Sequence, residues 1–325
     1  MLTQSQLDAF HRDGYLIMRN LFAGRELALL QEQSALVVAA GIARQGEHHL
    51  YLPKAGAGGE NPNVPASDNS TYWRSERMFQ RHAIFRAAAT QPELLENIGQ
   101  CIGQGFFPWN HSLVVKIPGG PAVTWHQDPY FPKPSDTTPP VPNFTADIYL
   151  DESDEGNGCV WAIPGHHLIG DVKLHDKTAR ALIEQCGAVP LRMRPGDVIF
   201  HALTTPHGSL ENPSKRMRRT YYLHFLAQEA FNDAGYQRWG GDNPAWGPEK
   251  IRQIHAFAQD RKDLGLAPTF ASTLAIADDG IRVASAVTTP RHHWAALAAK
   301  IPAEQRARMR ALIPAETEAL ATAAR

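Results

Sequence analysis

Cysteine is scarce in this chain of 325 residues: Cys101, Cys159 and Cys186 are the only three, far apart and without a CxxC pair. Neither a disulfide framework nor a cysteine zinc site can organise the fold, and a reducing compartment fits better than an oxidising one. An excess of one charge is missing too, since 32 Lys and Arg face 33 Asp and Glu for a formal net charge of −1. Capture of nucleic acid or an anionic membrane needs a basic surface, and the single basic run, 215-KRMRR-219, is too short to supply one. No stretch approaches the roughly 18 apolar residues of a membrane span. No internal repeat is visible, and the polar, helical opening MLTQSQLDAFHRDG does not read as a signal peptide. These absences leave a soluble cytoplasmic globular protein, long enough for a large core and 43% hydrophobic.

What is present changes character along the chain. Thr3 is placed to cap a helix through about His11, with Gly14 as its left-handed stop. A strand-like YLIMRN follows, then helical spacing over 24–42 and again over 91–103. Residues 54–70 are rich in Gly, Pro, Asn and Ser and predict a long loop, with a pocket lid as one use for it. From about residue 105 short alternating runs take over: SLVVKI, TADIYL, CVWAI, VPLRM, DVIFHAL and RTYYLHFLA. The turn signals PGG, DEGNG, PGHH, RPGD and ENPS separate them, which predicts a β-sandwich or closed barrel interrupted by one helix over 176–187. Helical patterns at 248–262 and 290–325 and a hairpin near 278–280 complete the chain. The expected organisation is a single domain: helical and loop support over 1–104, a β core over 105–230, and a mostly helical extension over 231–325.

Within that core, 121-PAVTWHQDPYF-131 sets His126 two residues before Asp128. Residues i and i+2 of an extended strand project from one face, so the pair can grip one metal ion. The bare H-x-D spacing is weak, and the chain holds a second, His11-Arg-Asp13, at a helix end where the two side chains diverge. A third ligand from another strand would complete the two-histidine, one-carboxylate face used by non-haem Fe(II) oxygenases. His201 and His207 both qualify by position, with His166, His167 and His224 in reserve. His207 has the better setting: a His-Gly-Ser turn, an Asn-Pro-Ser loop, then arginines entering a strand, one of which could pair with a carboxylate.

WHQDPYF, LDESDEGNGCVWAIPGHH and RPGDVIFHALTTPHGSLENPSKRMRR, in that order, resemble the phytanoyl-CoA dioxygenase family. The resemblance covers roughly residues 5 to 228 and is most specific from Lys116 to Arg219. It implies a mainly β fold with flanking helices, built on a jelly-roll, cupin-like double-stranded β-helix, and an activity that uses Fe(II), 2-oxoglutarate and O2. His126, Asp128 and His207 are then the iron ligands. Arg218, with Arg219 as the alternative register, holds the distal carboxylate of 2-oxoglutarate, and Ser209 reaches the same group. Gln127, Lys116 and Ser112 are implied as further co-substrate contacts. Two positions depart from the family pattern: Asp147 stands where an aromatic residue is usual, and Pro206 directly precedes His207.

Presence of the Asp128 carboxylate favours hydroxylation over halogenation, since related halogenases leave that ligand position open for halide. Tyr130 and Phe131 stand beside the ligand pair as candidate pocket walls, while Trp125, Trp161 and Cys159 read as core residues. No phosphate-cradling loop marks an acyl-CoA site, so a small metabolite or natural-product intermediate is the expected substrate. The extension after residue 231 could pack on the barrel, form a homodimer interface or close the pocket. Two rivals keep the metal triad: a cupin-like enzyme doing non-redox chemistry, and a non-catalytic metal-binding module. The segment from His207 to Arg218 speaks against both, because it supplies a carboxylate site that neither needs.

Overall fold

Thr3 caps the first helix as its spacing predicts: its hydroxyl accepts from Gln6 N, and the Gln6 side chain accepts from Thr3 N in return. The computed structural model describes residues 1–54, 63–128, 144–174, 178–227, 246–267, 274–278, 280–284 and 290–312. Helix α1 (Gln4–Asp13) leads into β1 (Tyr15–Met18), α2 (Gly24–Ile42) and a hairpin of β2 (His49–Pro53) and β3 (Ser70–Glu76). Three helices follow, α3 (Met78–Arg81), α4 (Ala83–Ala88) and α5 (Pro92–Ile102). The predicted β core comprises β4 (Phe106–Lys116), β5 (Val123–His126), β6 (Phe144–Tyr149), β7 (Val160–Ala162) and, after α6 (Ala179–Gln185), β8 (Val189–Leu191). It ends with β9 (Val198–Ala202), β10 (His207–Ser209) and β11 (Arg218–Ala227). The extension carries α7 (Trp246–Asp263), the hairpin β12 (Leu274–Ala277) and β13 (Gly280–Val283), α8 (Pro290–Ala299) and α9 (Ala303–Arg310).

The strands form two antiparallel sheets. The large one runs β1-β9-β6-β11-β4-β13-β12, with β3 also pairing β4 and β2 pairing β3; the small one runs β5-β10-β7-β8. Along β11, Arg218, Thr220, Tyr222 and His224 share one face and Tyr221, Leu223 and Phe225 the other. Tyr221, Leu223 and Phe225 join Val198, Phe200, Leu94, Leu95, Ile98 and Phe85 in the main apolar core, between the large sheet and its helices. The opposite face of the same sheet, which looks toward the small sheet, is largely polar. A satellite cluster of Tyr149, Val160, Ala162, Leu191, Met193 and Ile199 closes one end between the sheets.

The N-terminal flank holds more strand than its spacing predicts, in β2 and β3, beside the expected β1. β1 lengthens the edge of the large sheet by pairing with β9, and β3 pairs with β4 from Arg74 opposite Val114 to Glu76 opposite Ser112. The β2–β3 strands border the Gly- and Pro-rich stretch, and pairing with each other rather than alternation reveals them. The hairpin expected near 278–280 is present and meets the large sheet where Ile281 faces Phe106. Of the roles open to the extension, packing on the body of the fold is realised. Arg261 of α7 is fully buried against Glu26 and donates to Ala87 O at 2.9 Å, and Arg86 pairs with Asp260 at 2.6 Å. Trp294 of α8 is 1% exposed and donates its indole N–H to His11 Nδ1 at 2.7 Å. Among the described residues no helix is long and apolar enough to cross a membrane.

Gly14 joins these parts at one point. Its φ of +79° ends α1 in the left-handed region, and its carbonyl accepts from Ala202 N and the Thr205 hydroxyl. A Cβ there would run into the His167 ring and come to 2.6 Å from Thr205 Oγ1. Gly14→Ala is expected to destabilise the fold by about 1–3 kcal/mol, from left-handed strain plus the clash. Chemical denaturation checks this, and an unchanged midpoint would contradict the assignment.

Candidate metal centre

β5 and β10 are antiparallel neighbours in the small sheet, and their register sets His126 directly opposite His207, ring centroids 4.3 Å apart. In each residue Nδ1 lies against the carbonyl two positions back, Thr124 O at 2.7 Å and Thr205 O at 2.9 Å. A carbonyl only accepts, so Nδ1 carries the proton and Nε2 is left with its lone pair free for a metal. Gly208 follows His207 because Trp125 lies beneath it; a Cβ would stand 2.8 Å from Trp125 Cγ. β5 ends at His126, and Asp128 is held one step beyond by its own N–H donating to Leu203 O at 2.8 Å. His126 Nε2 and Asp128 Oδ1 are 3.7 Å apart, and one ligand atom from each of His126, Asp128 and His207 lies within 4.8 Å of the others.

Protonation states suit a cation. Burial alone would raise the Asp128 carboxyl, but the imidazoles of His207, His126, His224 and His201 outweigh it and bring it down to about 2. Burial, with His126 beside it, lowers His207 to about 4. The result is an ionised carboxylate beside a neutral His207 imidazole at neutral pH, which with His126 makes the donor set of a divalent first-row metal. His201, at 3% exposure, is not in the triad; its ring bridges two carboxyls, with Nε2 3.8 Å from Asp128 Oδ2 and Nδ1 3.8 Å from Asp147 Oδ2.

Deeper between the sheets is a chamber of buried polar atoms that lack partners. Arg218, 1% exposed, has neither Nε nor Nη1 hydrogen-bonded, and the same holds for Tyr149 Oη, Thr220 Oγ1, Thr145 Oγ1, Asp147 Oδ1 and His201 Nε2. So many unmatched groups on β6, β9 and β11 are costly in an empty interior and call for a polar ligand. The Arg218 guanidinium suits an anion, and the Tyr149 and Thr220 hydroxyls can donate beside it. A dianionic keto acid spanning metal and guanidinium therefore fits the residues present.

The two arginines differ on the same geometry. Arg219 faces outward, forks onto Asp151 at 2.8 and 2.7 Å and donates to Gln31 O, whereas Arg218 enters the chamber. Asn212 braces the intervening loop, its amide donating to Arg216 O, Ile117 O and Lys116 O. Three residues expected at the co-substrate have other partners. Gln127 donates to Gly170 O and Thr204 O and accepts from Val172 N, so both ends of its amide are engaged. Lys116 Nζ donates to Pro121 O, Leu210 O and Ser209 Oγ, leaving no free proton. Ser209 keeps its own hydroxyl proton. Ser112 is buried opposite Tyr222 on the chamber face of β4. Among the reserves, His167 packs edge-on against Trp294, His166 lies against Pro164 O, and His224 shares the chamber face with Tyr222. Pro206, the other departure, accepts from Ile163 N at 2.9 Å and needs no N–H there. Tyr130, Phe131 and residues 55–62 of the predicted loop lie outside the described residues.

Tyr149, Thr220 and the bridging place of His201 are what sequence reading missed. The signal was the i, i+2 alternation along β11 and β6, which puts Thr220 beside Arg218 and Tyr149 beside Asp147 once those strands pair.

Comparison with known proteins gives the family and the fold. Residues 10–220 match the family described as phytanoyl-CoA dioxygenase. The methylphosphonate hydroxylase of Gimesia maris is 27% identical over 235 residues, 70% of this chain and 81% of that protein. The ectoine dioxygenase of Bordetella parapertussis is 25% identical over 283 residues, 79% of this chain and 84% of that one. The crystal structure of EctD from S. alaskensis with 2-oxoglutarate and 5-hydroxyectoine superposes with a TM-score of 0.55 at 21% identity, covering 70% of this chain and 77% of that one. The fold is accordingly the jelly-roll of such dioxygenases.

Buried histidines give a pH signature in the metal-free protein. Burial holds His167 and His201 at about 3 and His207 at about 4. Unfolded, each ring titrates near its ordinary value of about 6.5. The unfolded chain therefore takes up protons first, and stability falls as pH drops below that value until the folded groups titrate. Each ring contributes up to about 1.4 kcal/mol per pH unit. The melting temperature of metal-free protein is expected to fall steadily from pH 7 to pH 5; a flat profile would show that the rings are not held neutral.

Proposed function

This chain belongs to the phytanoyl-CoA dioxygenase family, and on that premise we propose that His126, Asp128 and His207 hold the iron of an oxygenase whose co-substrate is anchored by Arg218. The enzyme is an Fe(II)- and 2-oxoglutarate-dependent dioxygenase acting on a small molecule. The observation that carries the residue assignment is the pairing of the triad with a buried guanidinium that has two unpartnered nitrogens, in one chamber. A non-redox metal enzyme would use the triad and have no need of that guanidinium.

When bound, iron with 2-oxoglutarate and O2 supplies oxidative decarboxylation to succinate and CO2, coupled to hydroxylation of a substrate C–H bond. The chain's own residues prepare this. The Thr124 and Thr205 carbonyls fix both imidazole tautomers, so Nε2 of each faces the metal position. Asp128 brings the one negative charge and, by occupying its place, leaves no vacant ligand position for halide; this favours hydroxylation. Arg218 meets the distal carboxylate of 2-oxoglutarate, with the Tyr149, Thr220 and Ser209 hydroxyls as further donors. Lys116 acts one step back by orienting the Ser209 hydroxyl. Gln127 ties the backbone around both ligands to Gly170, Val172 and Thr204. The apolar satellite cluster beyond Tyr149 excludes water from that end.

The methylphosphonate and ectoine relatives support a small polar metabolite as substrate; a natural-product intermediate fits the same pocket. Anaerobic titration of metal-free protein with Fe(II) and then 2-oxoglutarate tests the site. A weak visible charge-transfer band is expected in wild type. In Arg218→Ala, iron should still bind while 2-oxoglutarate weakens about 100-fold, the equivalent of losing about 3 kcal/mol of charge-assisted hydrogen bonds. Asp128→Gly should lose iron. Iron binding without the band in wild type would return the protein to the non-redox reading.

A further inference from the structure

Asp147 has no part in the assignment above, yet it is buried in the same chamber at 2% exposure, and its Oδ1 has no hydrogen-bond partner. Its place is set by register: on β6 it lies between Tyr222 of β11 and Ile199 of β9. It therefore shares the chamber face with Tyr149 and Thr145, and the alternation of β11 brings Arg218, Thr220 and Tyr222 to the same face. The titratable groups around it are Arg218, Tyr149 and Tyr222 toward the guanidinium end, and His201 and Asp128 toward the metal end. His201 Nδ1 stands 3.8 Å from Asp147 Oδ2, beyond hydrogen-bonding reach. The imidazole thus does not satisfy this carboxyl, which feels the charges of both Asp128 and Arg218.

Building on the co-substrate reading, we propose that Asp147 is a co-substrate-binding residue: a neutral carboxylic acid that donates a hydrogen bond to an oxygen of the bound keto diacid. Two carboxylates cannot hydrogen-bond without a proton between them, and Asp128 and the dianion already load this chamber with negative charge. A proton on Asp147 removes the repulsion and turns an acceptor into a donor. Burial drives that carboxyl well above its ordinary value, with the Thr145 hydroxyl opposing, Asp128 adding to the rise and Arg218 opposing it, in keeping with the neutral form. The companion donors Tyr149 and Thr220 sit on the same faces, so the acid completes a ring of donors around an anion. A buried acid with one oxygen left unpartnered is costly, and the cost is recovered when the ligand enters.

The test reads binding without turnover. Fe(II)-loaded protein is titrated anaerobically with 2-oxoglutarate, following the charge-transfer band, in wild type, Asp147→Asn and Asp147→Leu. The amide keeps a donor, so Asp147→Asn should bind within about threefold of wild type, whereas Asp147→Leu should bind at least 10-fold more weakly while its iron affinity holds. Equal or tighter binding by a folded Asp147→Leu overturns the proposal, since the carboxyl would then be inert or an obstruction. Infrared difference spectra of wild type give an answer that needs no variant to replace a lost side chain. A neutral carboxylic-acid carbonyl stretch should be present and should shift when 2-oxoglutarate is added; its absence overturns the proposal. If wild type itself shows no 2-oxoglutarate band, the co-substrate reading fails first and takes this one with it. A normal wild-type band beside an unaffected Asp147→Leu condemns the role of Asp147 alone.

Discussion

The backbone register between β5 and β10 is the constraint on which the rest of the site depends. A pair of antiparallel strands can set two residues face to face at one spacing only, and a slip of one residue would turn a ligand to the wrong side. Here the ladder sets His126 against His207, and each imidazole is further tied to its own strand by the carbonyl two residues back. The candidate metal position is therefore defined by main-chain geometry. Gly208 serves the same end, because only a residue without a side chain lets Trp125 lie under the β10 backbone. Asp128, which falls outside the ladder, is held instead by a single main-chain bond to Leu203 O.

A polar interior between two sheets is stable here because the apolar core lies elsewhere. The main cluster fills the space between the large sheet and the helices, joining α2, α4, α5 and the extension to one side of β9, β6 and β11. Each of those strands is thus buried on both faces, apolar toward the helices and polar toward the chamber. Unmatched polar atoms in the chamber each cost on the order of 1–3 kcal/mol. The coat offsets this with the burial of its many large side chains. The coat and the chamber are two sides of the same strands, which is why this barrel needs its flanking helices.

Most of this arrangement was legible in residue order. The capping box at Thr3, the period of α2 and α5 and the alternating runs from β4 to β11 reflect local preferences and a single buried face, so spacing reveals them. The candidate triad was legible for a similar reason, since each member sits in a short motif with strong backbone demands. The contacts of Gln127 and Lys116 were not. Both lie within the motif, yet apart from Pro121 O beside Lys116 their partners belong to segments 43 to 94 residues away, which only the packed fold brings near. Arg218 and Arg219 could not be told apart by composition; a strand's two faces decide between them, and Asp151 on the outer face claims one. β2 and β3 escaped notice because strand pairing, not sequence alternation, creates them.

The extension reaches the metal centre in two hydrogen-bonded steps. Arg310 of α9 donates to Ile169 O and accepts at its own carbonyl from Lys173 N, clasping the segment 169–173 from outside. From inside, Gln127 donates to Gly170 O and accepts from Val172 N. The same five residues are thus gripped by the C-terminal helix on one side and by the residue between two ligands on the other. Trp294 and His11 tie the neighbouring helix α8 to α1, and Gly14, at the end of α1, is tied to Ala202 and Thr205 just before His207. Both ligand-bearing segments are therefore buttressed by the chain's two extremities. Small side-chain hydrogen bonds far from the metal set how rigidly His126, Asp128 and His207 are presented, and a site that must hold three ligands in fixed geometry gains from such support.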